Sequence, residues 1–464
     1  MKIVIVGDGK VGFTLTKQLS QEGHDVVVID SNPNVLRTSQ ELLDVAVVEG
    51  NGAYVSVQLE ANVQTSDLLI AATSGDEVNM LCCLLARKLG CKHTIARVRE
   101  PAYDQQLRLL KEELGLSLSI NPERAAAREI FRLLQFPPFL KRDSFARGRA
   151  ELVELKLKEN NPLIGKRLFE LADLKELNAL ICIVERYGEI TIPSGDFKLL
   201  EGDKITIAAD AAELARLLRH LNISTHKAQS VHIVGGGRIA EYLAAMLLKA
   251  HVRVTIIERD LARAEALSLA LEDALIINGD GTDQELLLSE GVKQTDALVT
   301  LTGIDEENLI VSMFGNYIGV PKTITKINRT EYYSVFANMG IDTVVSPKLL
   351  TSDEIVSYVR AMANTSGGSV TALCTIAEGK AEAIEFFINE DAPYLDIPLK
   401  ALALKEEILV AAILRSRKVI IPKGNDSMQK GDTVVIVAPT GDAIFDMRDI
   451  FIDENPKLGA AEKE

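Results

Sequence analysis

Two doubly wound α/β units, each followed by a small α+β domain, are what this 464-residue chain predicts for itself. Three observations carry that prediction. A glycine turn between an apolar run and a helical stretch, Gly7, Gly9 and Gly12 in VIVGDGKVG, returns as Gly235, Gly237 and Ala240 in HIVGGGRIA, 228 residues on. The acid closing the next apolar run returns at the same spacing, Asp30 becoming Glu258. Short apolar runs alternate with amphipathic stretches throughout each unit, the pattern of βαβ elements on a parallel sheet.

In the first unit the apolar runs fall at residues 3–6, 26–29, 45–48, 68–72, 94–98 and 116–120. Helical periods cover 12–21, 35–41 and 78–89. Six strands in doubly wound order follow. Strand six runs into Asn121-Pro122 and a helix over 123–134, stopped by a proline pair at 137 and 138. The second unit repeats the plan: Gly50-Asn51-Gly52 matches Gly279-Asp280-Gly281, TSGDEVN from Thr73 matches TGIDEEN from Thr302, and a helix over 348–362 precedes a Gly-Ser break at 364–368. A spacing held across this many segments marks a duplication of the whole unit.

Beyond each break a smaller module is expected. The first reads as a strand LVELKL from 152, a short helix over 168–174, strands over 179–185 and 189–192, a Pro193-Ser194-Gly195 turn, and Gly202-Asp203 before a strand over 204–208. In the second, LCTIA from 373 takes the place of LVELKL, followed by a short helix over 399–402, strands over 409–415 and 419–421, and Gly431-Asp432 before 434–437. The expected domains are 1–125, 140–226, 229–350 and 366–450, with a polar, disordered tail over 454–464. At roughly 80 residues the small modules cannot hold a substrate pocket; their short strands read as pairing or sensing surfaces through exposed edges.

Composition excludes several classes. A net charge of −15 argues against a nucleic-acid partner. No apolar run reaches the roughly 18 residues of a membrane span, and the chain begins with a strand entering the glycine turn, which places it in the cytoplasm. Five cysteines show neither a disulfide framework nor a paired CxxC. Cys82, Cys83, Cys91 and His93 cluster in sequence, but neighbours on a helix point about 100° apart, and buried apolar roles outweigh a metal site.

The first βα turn carries the chemistry. Gly7 permits the turn, Gly9 lets a pyrophosphate approach, and Gly12 allows close helix packing, with the amides from Asp8 through Lys10 and Val11 at the positive end of the helix. Asp30 stands where a carboxylate accepts a ribose diol and repels a 2′-phosphate, which favours NAD over NADP; ATP or ADP satisfies the same groups. In the second copy the corresponding residues are Gly235, Gly236, Gly237, Arg238, Ile239 and Glu258. Ligands in such sheets lie across the carboxyl ends of the strands, which adds Asn51, Gly52, Thr73, Ser74 and Arg97, and on the second unit Asp280, Thr302 and Lys326. Arg97 reads equally as a phosphate partner or a surface cation. Asp76, Glu77 and Asn79 read as caps of the following helix.

Catalytic chemistry is missing from this pattern. None of the six histidines recurs at the repeat spacing, and there is no Ser-His-Asp order, HExxH or phosphate loop of the GxxxxGK[ST] type. Binding without turnover is the simpler reading; an NAD-dependent oxidoreductase is the alternative.

With these motifs in hand, the two Rossmann units, the DExN segment after strand four, the crossover helix, and the NPLIGKRLFEL and PxGxxxLxxGD segments of the small module resemble the RCK (KTN) regulatory domains of potassium channels and transporters. The resemblance spans residue 1 to about 449. It implies a non-enzymatic, peripheral assembly on the inner face of the cell membrane, a homodimer or larger ring paired through crossover helices and small domains. NAD(H), or ATP and ADP, would bind the turns and gate a membrane potassium-channel subunit of the TrkH/TrkG kind. The same architecture serving another ion transporter is the variant of this expectation.

Overall fold

The computed structural model describes residues 1–100, 103, 106, 113–135, 141–146, 148–159, 161–171, 178–211, 213–221, 227–329, 339, 341, 343–363, 369–416, 418–440, 444 and 446–452. The expected breaks at 136–139 and 364–368, residues 172–174 of the first short helix, and the tail over 454–464 lie outside the described residues. The chain divides into two compact units, one of residues 1–128 with 346–356 and one of 129–345 with residues from 357 onward.

The first unit holds a six-stranded parallel sheet. Its strands are β1 (Lys2–Val6), β2 (Asp25–Asp30), β3 (Ala46–Glu49), β4 (Leu68–Ala71), β5 (His93–Arg97) and β6 (Leu118–Ile120), in the order β3-β2-β1-β4-β5-β6. Helices α1 (Lys10–Gln21), α2 (Pro33–Leu42), α3 (Val55–Glu60) and α4 (Asp76–Leu89) make the crossovers, and α5 (Pro122–Gln135) follows β6. Strands β1 and β4 are apolar along almost their whole length because a central parallel strand is covered on both faces. The reversal of strand order lies between β1 and β4. Their carboxyl ends open there onto the glycine turn, which places the candidate site at the topological switch point.

The second unit contains the repeat of this sheet: β12 (Ser230–Val234), α7 (Arg238–Lys249), β13 (Arg253–Glu258), α8 (Leu261–Ala270), β14 (Leu275–Asn278), α9 (Gln284–Ser289), β15 (Ala297–Thr300), α10 (Asp305–Tyr317), β16 (Lys322–Lys326) and β17 (Val344–Val345), in the order β14-β13-β12-β15-β16-β17. Helix α11 (Pro347–Ala363) follows it. Proline at the first helical position suits both α5 and α11, since its missing N–H would have no helical partner there.

Both small domains belong to the second unit, and each is a five-stranded antiparallel sheet. The first comprises β7 (Lys141–Phe145), β8 (Ala150–Lys156), β9 (Ala179–Arg186), β10 (Glu189–Thr191) and β11 (Lys204–Asp210), with helix α6 (Leu214–His220) after it. The second comprises β18 (Ser369–Ile376), β19 (Ala381–Phe387), β20 (Leu409–Arg415), β21 (Lys418–Ile420) and β22 (Thr433–Pro439). Their strand orders, β10-β9-β11-β8-β7 and β18-β19-β22-β20-β21, are the same order read from opposite edges.

That order corrects one sequence correspondence. LCTI lies in β18, whose counterpart is β7, whereas LVELK lies in β8, whose counterpart is β19. Strand β7 reads KRDSF, four polar residues in five, so no apolar period announces it. Its polar side chains are used across the ladder: Arg142 pairs with Glu151 of β8 at 2.9 Å, and Ser144 donates to the same carboxylate at 3.0 Å.

The two small sheets also meet each other within the chain. The two small sheets pack through their faces, around Leu152, Cys182, Ala208, Ala383, Ala411 and Val437, all buried. Small side chains in that layer let the backbones come close. Asn178 fastens the contact at one end, donating to the Val419 carbonyl at 3.3 Å and accepting from the Ile421 amide. The repeated Gly-Asp motif serves each sheet internally: Asp203 takes both arms of Arg186 at 2.8 and 2.9 Å, and Asp432 takes both arms of Arg415 at 2.9 and 2.7 Å. Such forked pairs on buried carboxylates fix geometry as well as charge.

Candidate functional site

The site is built where β1 ends. Gly7 has φ +93°, and a Cβ there would meet the Thr73 amide at 2.8 Å, so only glycine allows the turn to pass this close to the end of β4. A Cβ at Gly12 would lie 1.9 Å from the Gly7 carbonyl oxygen. At Gly9 nothing lies within 4 Å of a would-be Cβ. The outer face of the turn is therefore open beside the first turn of α1, whose leading amides have no acceptor within the helix. That cradle has the shape and polarity a pyrophosphate needs.

Asp30 holds the turn from the side. One carboxylate oxygen accepts the Asp8 amide at 2.7 Å, and the other accepts the Asn32 amide at 2.8 Å. The acid is thus already a structural tie between β2 and the turn. A carboxylate oxygen has a second lone pair, so each retains capacity for a ribose hydroxyl. Asp8 is the surprise. Its side chain turns inward, 1% exposed, where it accepts from the Ser39 hydroxyl of α2 while its Oδ1 has no partner. Burial pushes this carboxyl up to about 6, the Ser39 hydrogen bond pulls it down, and the neighbouring Asp30 charge raises it further.

The second turn reproduces the backbone with other side chains. Gly235 has φ +97°, and Gly237 faces open space. Glu258 accepts the Gly236 amide at 2.6 Å and the Asp260 amide at 2.8 Å, repeating the tie made by Asp30. Gly236 replaces Asp8 and Leu267 replaces Ser39; a Cβ at Gly236 would lie 2.5 Å from the Leu267 Cδ1. Arg263 donates to the Gly236 carbonyl and to Glu241, both at 2.7 Å, where the first copy has Val35 and Phe13.

Other predicted residues gather at the same strand ends, with roles of their own. Gly52 and Gly281 serve packing, since a Cβ would fall 2.2 and 2.3 Å from valine methyls of β1 and β12. Asn51 and Asp280 close local turns, accepting the amides of Ala53 and Thr282 at 2.9 Å each. The Thr282 amide and hydroxyl hold the exposed Asp280 carboxyl below its ordinary range. Thr73 and Thr302 place their amides on Asn79 and Asn308, both at 2.8 Å. Ser74 is exposed, and its carbonyl accepts from Arg99. Arg97 and Lys326 are half-buried at the ends of β5 and β16, and Lys326 reaches the Leu301 carbonyl at 3.4 Å. Lys10 and Arg238 are exposed on the first helical turns, whereas Val11 and Ile239 are buried beneath them.

The capping role expected of Asp76 and Asn79 gives way to a different one. Each lies inside the first turn of α4, and neither side chain caps it. Asp76 instead accepts the amides of Arg99 and Glu100 at 2.8 Å, as Asp305 accepts those of Asn328 and Arg329. Asn79 ties the Thr73 amide to the Arg97 carbonyl, and Asn308 ties Thr302 to Lys326. The repeated DExN segment thereby locks two strand ends beside the glycine turn. Glu77 is exposed and accepts from Tyr103.

Cys82, Cys83 and Cys91 are buried in the core beneath α4, and desolvation pushes each thiol up, Cys82 to about 12. A protonated thiol is a poor metal ligand. Among the described residues no helix is long and apolar enough to cross a membrane.

Two family models each match the chain twice. The TrkA-N domain model matches residues 3–122 and 231–347, and the TrkA-C domain model matches 152–222 and 383–446. A Trk system potassium uptake protein TrkA homolog of Archaeoglobus fulgidus is 32% identical over 97% of this chain and 100% of its own length. The chain belongs to the TrkA family. Within that family, the Trk system potassium uptake protein TrkA of Halomonas elongata is 31% identical over 97% of this chain and 98% of its own. Among solved structures, the GsuK RCK domain superposes with a TM-score of 0.62 at 20% identity, covering 95% of this chain and 92% of that one. The GsuK channel bound to NAD gives 0.62 at 20% identity, over 95% of this chain and 77% of that one. The fold of two Rossmann units and two antiparallel domains is thus that of RCK proteins.

Proposed function

We propose that this chain is a peripheral, cytoplasmic, nucleotide-binding regulatory subunit that gates a membrane potassium-uptake channel of the TrkH/TrkG kind. The observation that carries it is the pair of open glycine turns, each facing a helix N-terminus and tied to a strand-end carboxylate, in a chain of the TrkA family. NAD or NADH fits both turns; ADP and ATP share the adenosine and diphosphate that the turns would contact. Gly7 through Val11 with Asp30 hold the ligand in the first copy. Gly235 through Ile239 with Glu258 hold it in the second, and Arg97 and Lys326 stand at the neighbouring strand ends.

Gating needs only a difference in affinity. A nucleotide that binds one state of the assembly more tightly shifts the equilibrium by that difference, and about 5.5 kcal/mol moves it from 1:99 to 99:1. Two turns per chain, in a homodimer or larger ring, divide that requirement among several sites.

Calorimetric titration of the wild type, Asp30→Ala and Glu258→Ala with NAD, NADH, ATP and ADP tests this, with cofactor absorbance followed for turnover. Saturable binding, weakened at least tenfold in the variant of the copy concerned and without redox change, is the expected outcome. Steady oxidation or reduction with a small substrate would overturn it in favour of an oxidoreductase. Ion flux through the reconstituted membrane partner then separates potassium from another ion.

A further inference from the structure

The two turns differ at the one place where a buried ionisable group touches the phosphate cradle. In the first copy the residue between the two glycines is Asp8, 1% exposed, with its Oδ1 unpartnered and its Oδ2 taken by Ser39. In the second copy the same pair of positions is Gly236 and Leu267, with no group to titrate. A carboxylate oxygen sealed from water without a donor leaves the charged form poorly solvated, and the neutral carboxyl removes that penalty. The charged groups around Asp8 do little to offset it. Asp30, at the end of β2, bears the same sign and accepts the Asp8 amide; Lys10 on α1 and Arg37 and Glu41 on α2 are exposed.

A nucleotide would add further negative charge on the outer face of the same turn, against the amides that follow Asp8. An anion there raises the proton affinity of the carboxyl behind it, and by linkage the proton raises the affinity for the anion. We propose that Asp8 is a proton-coupled specificity residue: the first site binds an anionic nucleotide phosphate together with one proton taken from solvent onto the Asp8 carboxyl, whereas the second site binds without one. The first turn then reads acidity and nucleotide jointly, and the second reads nucleotide alone. The proposal rests on nucleotide occupancy of the first turn. The raised proton affinity of Asp8 in the structure, about 6, sets the range in which the coupling acts.

NAD is the probe, because its pyrophosphate does not titrate near neutrality. Binding is measured in a Gly237→Asp background, where the new carboxylate enters open space and repels phosphate from the second turn. Between pH about 6 and about 7.5 the affinity for NAD should fall with rising pH, by at most about tenfold per unit for one proton. Calorimetry in two buffers of different ionisation enthalpy should show uptake of up to one proton on binding. Asp8→Asn, which keeps an acceptor for Ser39, should remove both effects, and so should Asp8→Gly with Ser39→Leu. The mirror background, Gly9→Asp with the second site intact, should show neither. A pH slope or proton uptake unchanged in Asp8→Asn, or absent with Asp8 present, overturns the proposal while leaving nucleotide binding standing. No saturable NAD binding in either background at any pH overturns both.

Discussion

The glycine turns of the two copies share a backbone and differ in the side chains that fill the space behind it. In the first, Gly12 gives the Gly7 carbonyl its room, and Asp8 and Ser39 fill the space behind with polar atoms. In the second, Ala240 stands in the Gly12 position, Gly236 and Leu267 fill the same space with carbon, and Arg263 bridges the Gly236 carbonyl to Glu241. The conserved element is the tie between the strand-end acid and the turn amide, made by Asp30 at 2.7 Å and by Glu258 at 2.6 Å. The substitutions come in matched pairs because an interior at crystalline packing density does not accept one partner's change without the other's. Duplicated sites can therefore diverge in ligand chemistry while the cradle stays fixed.

The largest effect should come from exchanging the third glycine position. Gly12→Ala places a methyl 1.9 Å from a backbone oxygen, which cannot rotate away. The turn must shift, at a cost of roughly 1–3 kcal/mol, and NAD binding to the first copy should weaken by more than tenfold. Ala240→Gly removes a buried methyl and lowers helix propensity in the first turn of α7, costing about 1 kcal/mol. Urea denaturation of the two variants checks both signs. If Gly12→Ala were neutral, the two turns would be sterically interchangeable and the comparison would collapse.

Asp8 gives the next effect, on stability as a function of pH. Its folded-state proton affinity lies above the ordinary value of 3.8, at about 6, so its contribution is fully present below pH about 4 and is lost as pH rises through about 6. Asp8→Asn should match the wild type near pH 4 and exceed it by up to about 3 kcal/mol at pH 7. Denaturant midpoints across that range would show the difference opening between pH about 4 and about 6. A variant less stable than the wild type at pH 7 would mean that the charged form is stabilised by contacts other than the Ser39 hydroxyl.

Much of the fold was legible because the repeat enforces itself: both six-stranded sheets, both glycine turns and both acids follow from spacing and apolar runs. What stayed hidden was polar. Strand β7 carries no apolar period, and its counterpart β18 was matched to the wrong strand for that reason. Asp76 and Asn79 sit in sequence where caps belong, yet each also reaches a partner 18 to 24 residues away, a distance no local rule covers. The repeat of DExN was the available signal that they do more than cap. Likewise, Asp8 reads as an arbitrary residue between two glycines until its burial against Ser39 is seen.

The smallest effect belongs to Arg263, which makes the second turn look more strongly held than the first. Its ion pair with Glu241 is about one-third exposed on each side, 34% and 31%, so solvent screens it. Exposed pairs of this kind contribute about 0–1 kcal/mol. Arg263→Val, the residue found at this position of the first copy, should lower stability by no more than roughly 0.5 kcal/mol. The informative quantity is NAD affinity at the second site, read by calorimetry in a Gly9→Asp background. If the guanidinium only braces the turn, affinity stays within about twofold. If it releases Glu241 to meet a phosphate, affinity falls about tenfold or more, and the fall shrinks as salt is raised. The second outcome would make Arg263 part of the recognition surface and separate the copies by ligand charge as well as by packing.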